Sequence, residues 1–164
     1  MSEKHNKLET ALFGAGCFWG VEETFRKQPG VRETSVGYSG GAISNPSYEL
    51  VCSGKTGHAE VVQITFDPSD VSYEELLNVF WDCHDPTQMN RQGPDRGSQY
   101  RSVIFYNSTE QAESARDTKR AQSTSNRYRQ PIVTEISIAG TFWPAEEYHQ
   151  QYLAKRGMGA CPSQ

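Results

Sequence analysis

Polar and apolar residues recur along this chain with two periods, and the periods mark out its elements. Ala59–Phe66 alternates strictly: Glu60, Val62, Ile64 and Phe66 share one strand face, and Ala59, Val61, Gln63 and Thr65 the other. Glu60 therefore opens the more apolar face. Helical spacing follows, with Tyr73, Leu76, Leu77, Phe80 and Cys83 in one stripe. Ser72 and Glu75 form a capping-box pattern ahead of it, and Asp85-Pro86 closes it. Thr10–Phe13 reads as a short strand entering a glycine turn, and Phe18–Lys27 as a helix stopped by Gln28-Pro29-Gly30. Val31–Gly37, Tyr100–Tyr106 and Ile132–Ile138 read as further strands. Ser108 to about Thr124 reads as a polar surface helix with a Ser108/Gln111 cap, and Pro144–Leu153 as a short helix with proline near its first turn. Two polar, glycine-bearing stretches, Tyr38–His58 and Thr87–Gln99, are expected to be long loops, and loops of that length are usually functional.

The order strand–helix–strand–strand–helix–strand is that of a split βαβ unit. The expected fold is α+β: a two-layer, ferredoxin-like plait with a mixed sheet, long loops over one edge and extra C-terminal elements. With 164 residues the chain has room for one domain, its core spanning about 8–154 and a mobile tail covering 155–164. Neither repeats nor low-complexity segments interrupt it.

Charge narrows the function classes. The net charge is −4, and Arg116, Lys119, Arg120, Arg127 and Arg129 are spread among polar residues like a solvated helix face, so a nucleic-acid partner is not expected. No run of about 18 apolar residues offers a membrane span, and residues 1–9 lack the apolar segment of a secretory signal. A cytoplasmic, reducing compartment is the expectation. The cysteines, Cys17, Cys52, Cys83 and Cys161, are widely separated with no Cys-x-x-Cys pair, which speaks against a zinc site or a thioredoxin-type dithiol. His58, His84 and His149 show no metal-ligand spacing either.

The most informative stretch is Gly14-Ala15-Gly16-Cys17-Phe18-Trp19-Gly20. A cysteine between glycines at a helix start meets the positive end of the helix dipole, which favours thiolate. Phe18 and Trp19 add an apolar wall suited to a small, weakly polar substrate. Glu60, on an apolar strand face, is a candidate desolvated carboxyl that keeps its proton near neutrality and donates it to a substrate oxygen; the alternative is a strand-start charge reaching water. Tyr38, Tyr48 and Tyr100 cluster near the loops, and a phenol there either hydrogen-bonds a developing hydroxyl or simply packs. Asp95 either holds a substrate amide or is a turn aspartate. Cys83-His84-Asp85 suggests a hydrolase triad, but helical neighbours do not face each other. Three classes stay open on these residues: a thiol oxidoreductase, an acyl-hydrolase pairing Cys17 with His58 or His149, and a non-catalytic module whose aromatic loop recognises methionine-rich segments.

Taken in order, Gly16-Cys17-Phe18-Trp19-Gly20, Gly37-Tyr38-Ser39-Gly40-Gly41, Asn45-Pro46-Ser47-Tyr48, Gly57-His58-Ala59-Glu60-Val61, His84-Asp85-Pro86-Thr87, Arg91-Gln92-Gly93, Asp95-Arg96-Gly97-Ser98-Gln99-Tyr100-Arg101-Ser102 and His149-Gln150-Gln151-Tyr152-Leu153 resemble the peptide methionine sulfoxide reductases of the A type. The resemblance runs from about Phe13 to Cys161. It implies reduction of the S epimer of methionine sulfoxide, free or in proteins, as oxidative-damage repair. Cys17 would attack the sulfur, Glu60 protonate the oxygen, and Tyr48 and Tyr100 hydrogen-bond it. Phe18 and Trp19 would hold the S-methyl group, with Asp95, His149 and Tyr152 lining the substrate side. The resulting Cys17 sulfenic acid would condense with Cys161, whose flanking Gly157 and Gly159 allow it to swing in. The electron donor would be thioredoxin, with no metal or organic cofactor, and the protein is expected to be a monomer. A further tail cysteine found in some members has no counterpart here. Cys83 reads as core or as a substitute resolver, and Cys52 as structural.

Overall fold

The computed structural model describes residues 7–157. Strand β1 (Glu9–Ala15) ends in the glycine turn, and helix α1 (Phe18–Arg26) begins immediately after Cys17. Strand β2 (Val31–Ser39), helix α2 (Tyr48–Cys52), strand β3 (Ala59–Phe66) and helix α3 (Tyr73–Asp82) follow. A two-stranded ribbon, β4 (Arg91–Gln92) and β5 (Asp95–Arg96), leads through a 3₁₀ turn (Ser98–Tyr100) into β6 (Ser102–Tyr106). Helix α4 (Thr109–Ser123), β7 (Glu135–Ile138), β8 (Trp143–Pro144), a second 3₁₀ turn (Glu147–His149) and α5 (Tyr152–Lys155) complete the chain.

The main sheet runs β7-β6-β1-β3-β2-β8. Its centre, β6-β1-β3-β2, is antiparallel throughout, and β7 joins β6 in parallel, so the sheet is mixed. Helices α1 and α3 are the crossovers of the split βαβ unit and share one face. There Phe18, Val21 and Phe25 meet Phe13, Val62, Ile64, Leu76, Leu77, Phe80 and Ile104 in one core. Burying each such side chain stabilises by about 1.5–3 kcal/mol. The opposite face carries Leu12, Ala59, Val61, Val103 and Phe105, covered by Ala139 and Phe142. The period-2 reading of β3 thus holds, and its face beginning at Glu60 is the one beneath the helices.

The capping box before α3 forms reciprocally: the Ser72 hydroxyl accepts from the Glu75 amide at 3.0 Å, and Glu75 Oε1 accepts from the Ser72 amide at 2.8 Å. The α4 cap is only half a box, since Ser108 accepts from the Gln111 amide while Gln111 Oε1 turns to Asn107.

Several sequence expectations need correction. The supposed loop Tyr38–His58 holds the end of β2 and all of α2, which Ser47 caps through its hydroxyl. The supposed loop Thr87–Gln99 holds the β4–β5 ribbon. Tyr100 closes a 3₁₀ turn rather than opening a strand, and β7 starts only at Glu135. Pro144–Leu153 is not one helix. Pro144 pairs with Gly37 at the sheet edge, and Gln150 turns its amide onto Val36 and Ala145. Gln151 then takes a left-handed conformation, φ 49°, with its N–H donated to buried Glu22 at 2.7 Å. These long-range side-chain bonds override the local helical pattern. Among the described residues, no helix is long and apolar enough to cross a membrane.

Candidate active site

The site forms where β1 ends against β3. A Cβ on Gly14 would lie 2.8 Å from Val103 Cγ1 and 3.1 Å from the Glu60 carbonyl, so only glycine lets the strands close here. Gly16 has φ +99°, and a Cβ there would strike the Gln92 side chain at 2.9 Å. Gln92 is pinned from its far end, giving and taking hydrogen bonds with the backbone of Asp85. The turn carrying Cys17 is thereby held from both sides. Cys17 is half-buried at the N-cap of α1.

Glu60 lies beneath that helix start, only 1% exposed. Its Oε1 accepts the Phe18 amide N–H at 3.1 Å, while Oε2 is buried without a hydrogen-bond partner. Burial is the main reason its pKa is pushed up to about 8; the Phe18 N–H opposes the rise, and Asp95 adds to it. At neutral pH the carboxyl is mostly protonated, with Oε2 the natural seat of that proton.

The register places Tyr38 opposite Glu60 on β2. Tyr48 and Tyr100 approach from the two loop regions. Burial raises both phenols above their ordinary range, the Cys52 contact and Glu60 adding to Tyr48, and Glu60, Cys52, Asp95 and Cys17 adding to Tyr100. The sequence groups therefore converge: Cys17, Glu60, Tyr48, Tyr100 and Asp95 feel one another's fields.

An aromatic wall stands beside them. The Trp19 indole N–H donates to His149 Nδ1 at 2.9 Å, and the indole stacks on Tyr152 at 3.7 Å and 5°. The His149 ring, fully buried, also meets Phe18 at 5.2 Å and Tyr48 at 4.5 Å. Arg156 covers the outer face of Tyr152 at 3.6 Å. Phe18, Trp19, His149 and Tyr152 thus form one unit. Cys161 lies outside the described residues.

Histidine bases for a hydrolase are not available. His58 Nδ1 accepts from the Gly41 amide, and its Nε2 faces the Ile43 carbonyl at 2.7 Å. His149 Nδ1 is taken by Trp19, and burial lowers its pKa so that the ring is neutral with its proton on Nε2. His84 is held between the Phe80 carbonyl and the Ser102 hydroxyl. With partners assigned in this way, none of these rings keeps a free lone pair for a nucleophile. Cys83 sits against the core, its thiol directed to the Phe80 carbonyl at 3.4 Å and pushed up to about 12 by burial, which disfavours the thiolate there.

One residue escaped the sequence reading. Glu146 bonds Tyr38 and the amide of Tyr48, yet in Pro144-Ala145-Glu146-Glu147 nothing distinguishes it from exposed Glu147. Cys52, read as structural, is exposed at the end of α2, one helical turn from Tyr48. Among the described residues, no group of three or more His, Cys, Asp or Glu side chains is arranged to hold a metal.

Comparison with known proteins gives the family. The family model described as "Peptide methionine sulfoxide reductase" matches residues 9–164. The peptide methionine sulfoxide reductase MsrA of Methanoculleus marisnigri is 64% identical over 154 residues, covering 94% of this chain and 94% of the relative. The crystal structure of Mxr1 from Saccharomyces cerevisiae in reduced form superposes with a TM-score of 0.89 at 36% identity, covering 98% of this chain and 93% of that one. Mxr1 in complex with Trx2 shares the fold at a TM-score of 0.64 and 23% identity, covering 99% and 91%. The chain belongs to the peptide methionine sulfoxide reductase family and is an oxidoreductase of its A type.

Proposed function

We propose that the chain reduces the S epimer of methionine sulfoxide, free or in proteins, with Cys17 as nucleophile and Glu60 as acid. The observation that carries this reading is the Glu60 carboxyl: buried, protonated near neutrality, its Oε2 unpaired, and hydrogen-bonded through Oε1 to the first residue after Cys17. The Cys17 sulfur attacks the sulfoxide sulfur, and Glu60 gives its proton to the oxygen, a poor leaving group without it. Tyr48 and Tyr100 hydrogen-bond that oxygen. The attack forms a bond between the two sulfurs. As that bond and the sulfoxide S–O bond break, the protonated oxygen passes to Cys17 as a sulfenic acid and methionine leaves, its sulfur having gained two electrons from the thiol. The Phe18–Trp19 wall seats the S-methyl group and sets the epimer; Asp95, His149 and Tyr152 border the rest of the substrate.

The Cys161 thiol then condenses with the sulfenic acid, releasing water and leaving a Cys17–Cys161 disulfide. Thioredoxin reduces that disulfide, a reading supported by the yeast relative that was solved with Trx2. The enzyme works in the cytoplasm as a monomer. Incubating the protein with dithiothreitol and both epimers of methionine sulfoxide, each followed by chiral chromatography, tests the reading. Selective loss of the S epimer is expected. Survival of both epimers with the protein folded would overturn it. Cys161→Ser should complete one turnover with thioredoxin and then stall.

A further inference from the structure

Glu146, between β8 and the second 3₁₀ turn, takes no part in the scheme above, yet both its oxygens are engaged. Oε1 accepts from the Tyr38 hydroxyl at 2.9 Å, and Oε2 accepts from the Tyr48 amide N–H at 3.0 Å. His149 Nε2 lies 3.9 Å from Oε1 and has no hydrogen bond of its own. Because His149 Nδ1 receives the Trp19 indole N–H, the imidazole proton must sit on Nε2, facing this carboxylate.

Tyr48 is the first residue of α2, where backbone N–H groups have no partner within the helix. A five-residue helix has too little cooperativity to fix itself. Its start is tied down by side chains: the Ser47 hydroxyl takes the Leu50 amide at 3.1 Å, and Glu146 takes that of Tyr48. The position of the Tyr48 ring, which packs on His149 at 4.5 Å, follows from these tethers.

We infer that Glu146 is a positioning residue of the reduction step: a single carboxylate anchors the start of α2, and with it the Tyr48 phenol, and faces the imidazole that holds Trp19. The inference rests on the role proposed above for Tyr48. Misplacing a reacting partner by about 1 Å can cost up to about a hundredfold in rate, so loss of one tether is expected to cost about tenfold. Glu146 touches no reacting atom and acts only through what it holds.

A double-mutant cycle on the single-turnover rate of methionine sulfoxide reduction separates this role from a merely structural one. Glu146→Ala should lower that rate constant about tenfold, mainly in kcat and little in KM. In a Tyr48→Phe background the same change should cost less than about twofold, because the hydroxyl it positions is gone. Equal losses in both backgrounds, or no loss in either, would overturn the proposal. Tyr48→Phe alone leaving the rate unchanged would instead remove the role of Tyr48, and this inference with it. If Glu146→Ala fails to fold, Glu146→Gln serves: its amide satisfies only one of the two donors, and its smaller loss must show the same dependence on the Tyr48 hydroxyl.

Discussion

Two clusters in this fold each combine a cysteine, a histidine and a carboxylate, and they differ in whether their polar atoms are satisfied. The rear cluster, Cys83, His84 and Asp85, is contiguous in sequence. His84 bonds Phe80 and Ser102, Ser102 bonds Thr134 at 2.8 Å, and Asp85 Oδ1 accepts from both the amide and hydroxyl of Thr87. The front cluster, Cys17, Glu60 and His149, is assembled from three distant segments, and it leaves Glu60 Oε2 and His149 Nε2 buried without partners. An unpaired buried polar atom costs about 1–3 kcal/mol. The rear network has its polar groups satisfied; the front one keeps two buried polar atoms without a hydrogen bond.

Exchanging the cysteines is the sharpest way to break this contrast. Cys17→Ser should abolish dithiothreitol-driven reduction, a loss of more than about a thousandfold. Cys83→Ala should leave turnover per folded molecule within about twofold and cost about 1–2 kcal/mol in denaturant unfolding through lost packing. Loss of turnover on removing Cys83 would return it to the reaction.

Glu60→Gln comes next. It keeps the shape and the bond to the Phe18 amide but has no acidic proton, so single-turnover reduction should fall about 10²–10⁴-fold at neutral pH. In the wild type the acid form is the active one, so the rate contributed by Glu60 should fall as pH rises through about 8. The variant should lack that limb. An unchanged rate at neutral pH would sink the acid role.

How far each cluster could be read from sequence follows from the range of its contacts. The alternation of Ala59–Phe66 placed Glu60 on the face that proves buried, and Ser72/Glu75 capped α3 as expected, because both signals are local. The glycine turn marked Cys17 for the same reason. What periodicity cannot encode is the bond from Trp19 to His149, 130 positions away, or from Tyr48 to Glu146, 98 positions away. Those bonds unwind the expected Pro144–Leu153 helix into a strand pair, a 3₁₀ turn and the left-handed Gln151. The local Cys83-His84-Asp85 run misleads for the converse reason: adjacent residues look like a site, and the fold spends them on structure.

A smaller effect probes the rear network directly. His84→Ala would orphan the Ser102–Thr134 pair and open a cavity, at a cost of about 2–4 kcal/mol. Urea unfolding should show this loss, while the reduction rate per folded molecule stays within about twofold. A large fall in that rate at full folding would mean that the two clusters are coupled.

The last contrast is a difference of sign in how the clusters respond to pH. Burial lowers the His84 pKa from 6.5 to about 4, so between those values the unfolded chain binds the proton that the folded chain refuses. Its contribution to stability is complete above about 6.5 and is lost as pH falls toward 4. Glu60 runs the other way. Its folded pKa of about 8 lies above the ordinary 4.5, so the folded chain keeps a proton that the unfolded chain releases, and stability falls as pH rises from about 4.5 to 8. Melting temperature measured across pH 4 to 9 should therefore be highest where the two windows overlap, about pH 4.5 to 6.5, and fall on either side. Glu60→Gln should flatten the alkaline limb and leave the acid one in place, with a gain of a few kcal/mol above pH 8. Burial raises Glu22 as well, so a shallower limb remains in the variant. An alkaline limb undiminished in Glu60→Gln would mean that the front carboxyl ionises freely in the folded protein, and the contrast between a satisfied rear and an unsatisfied front would lose its strongest member.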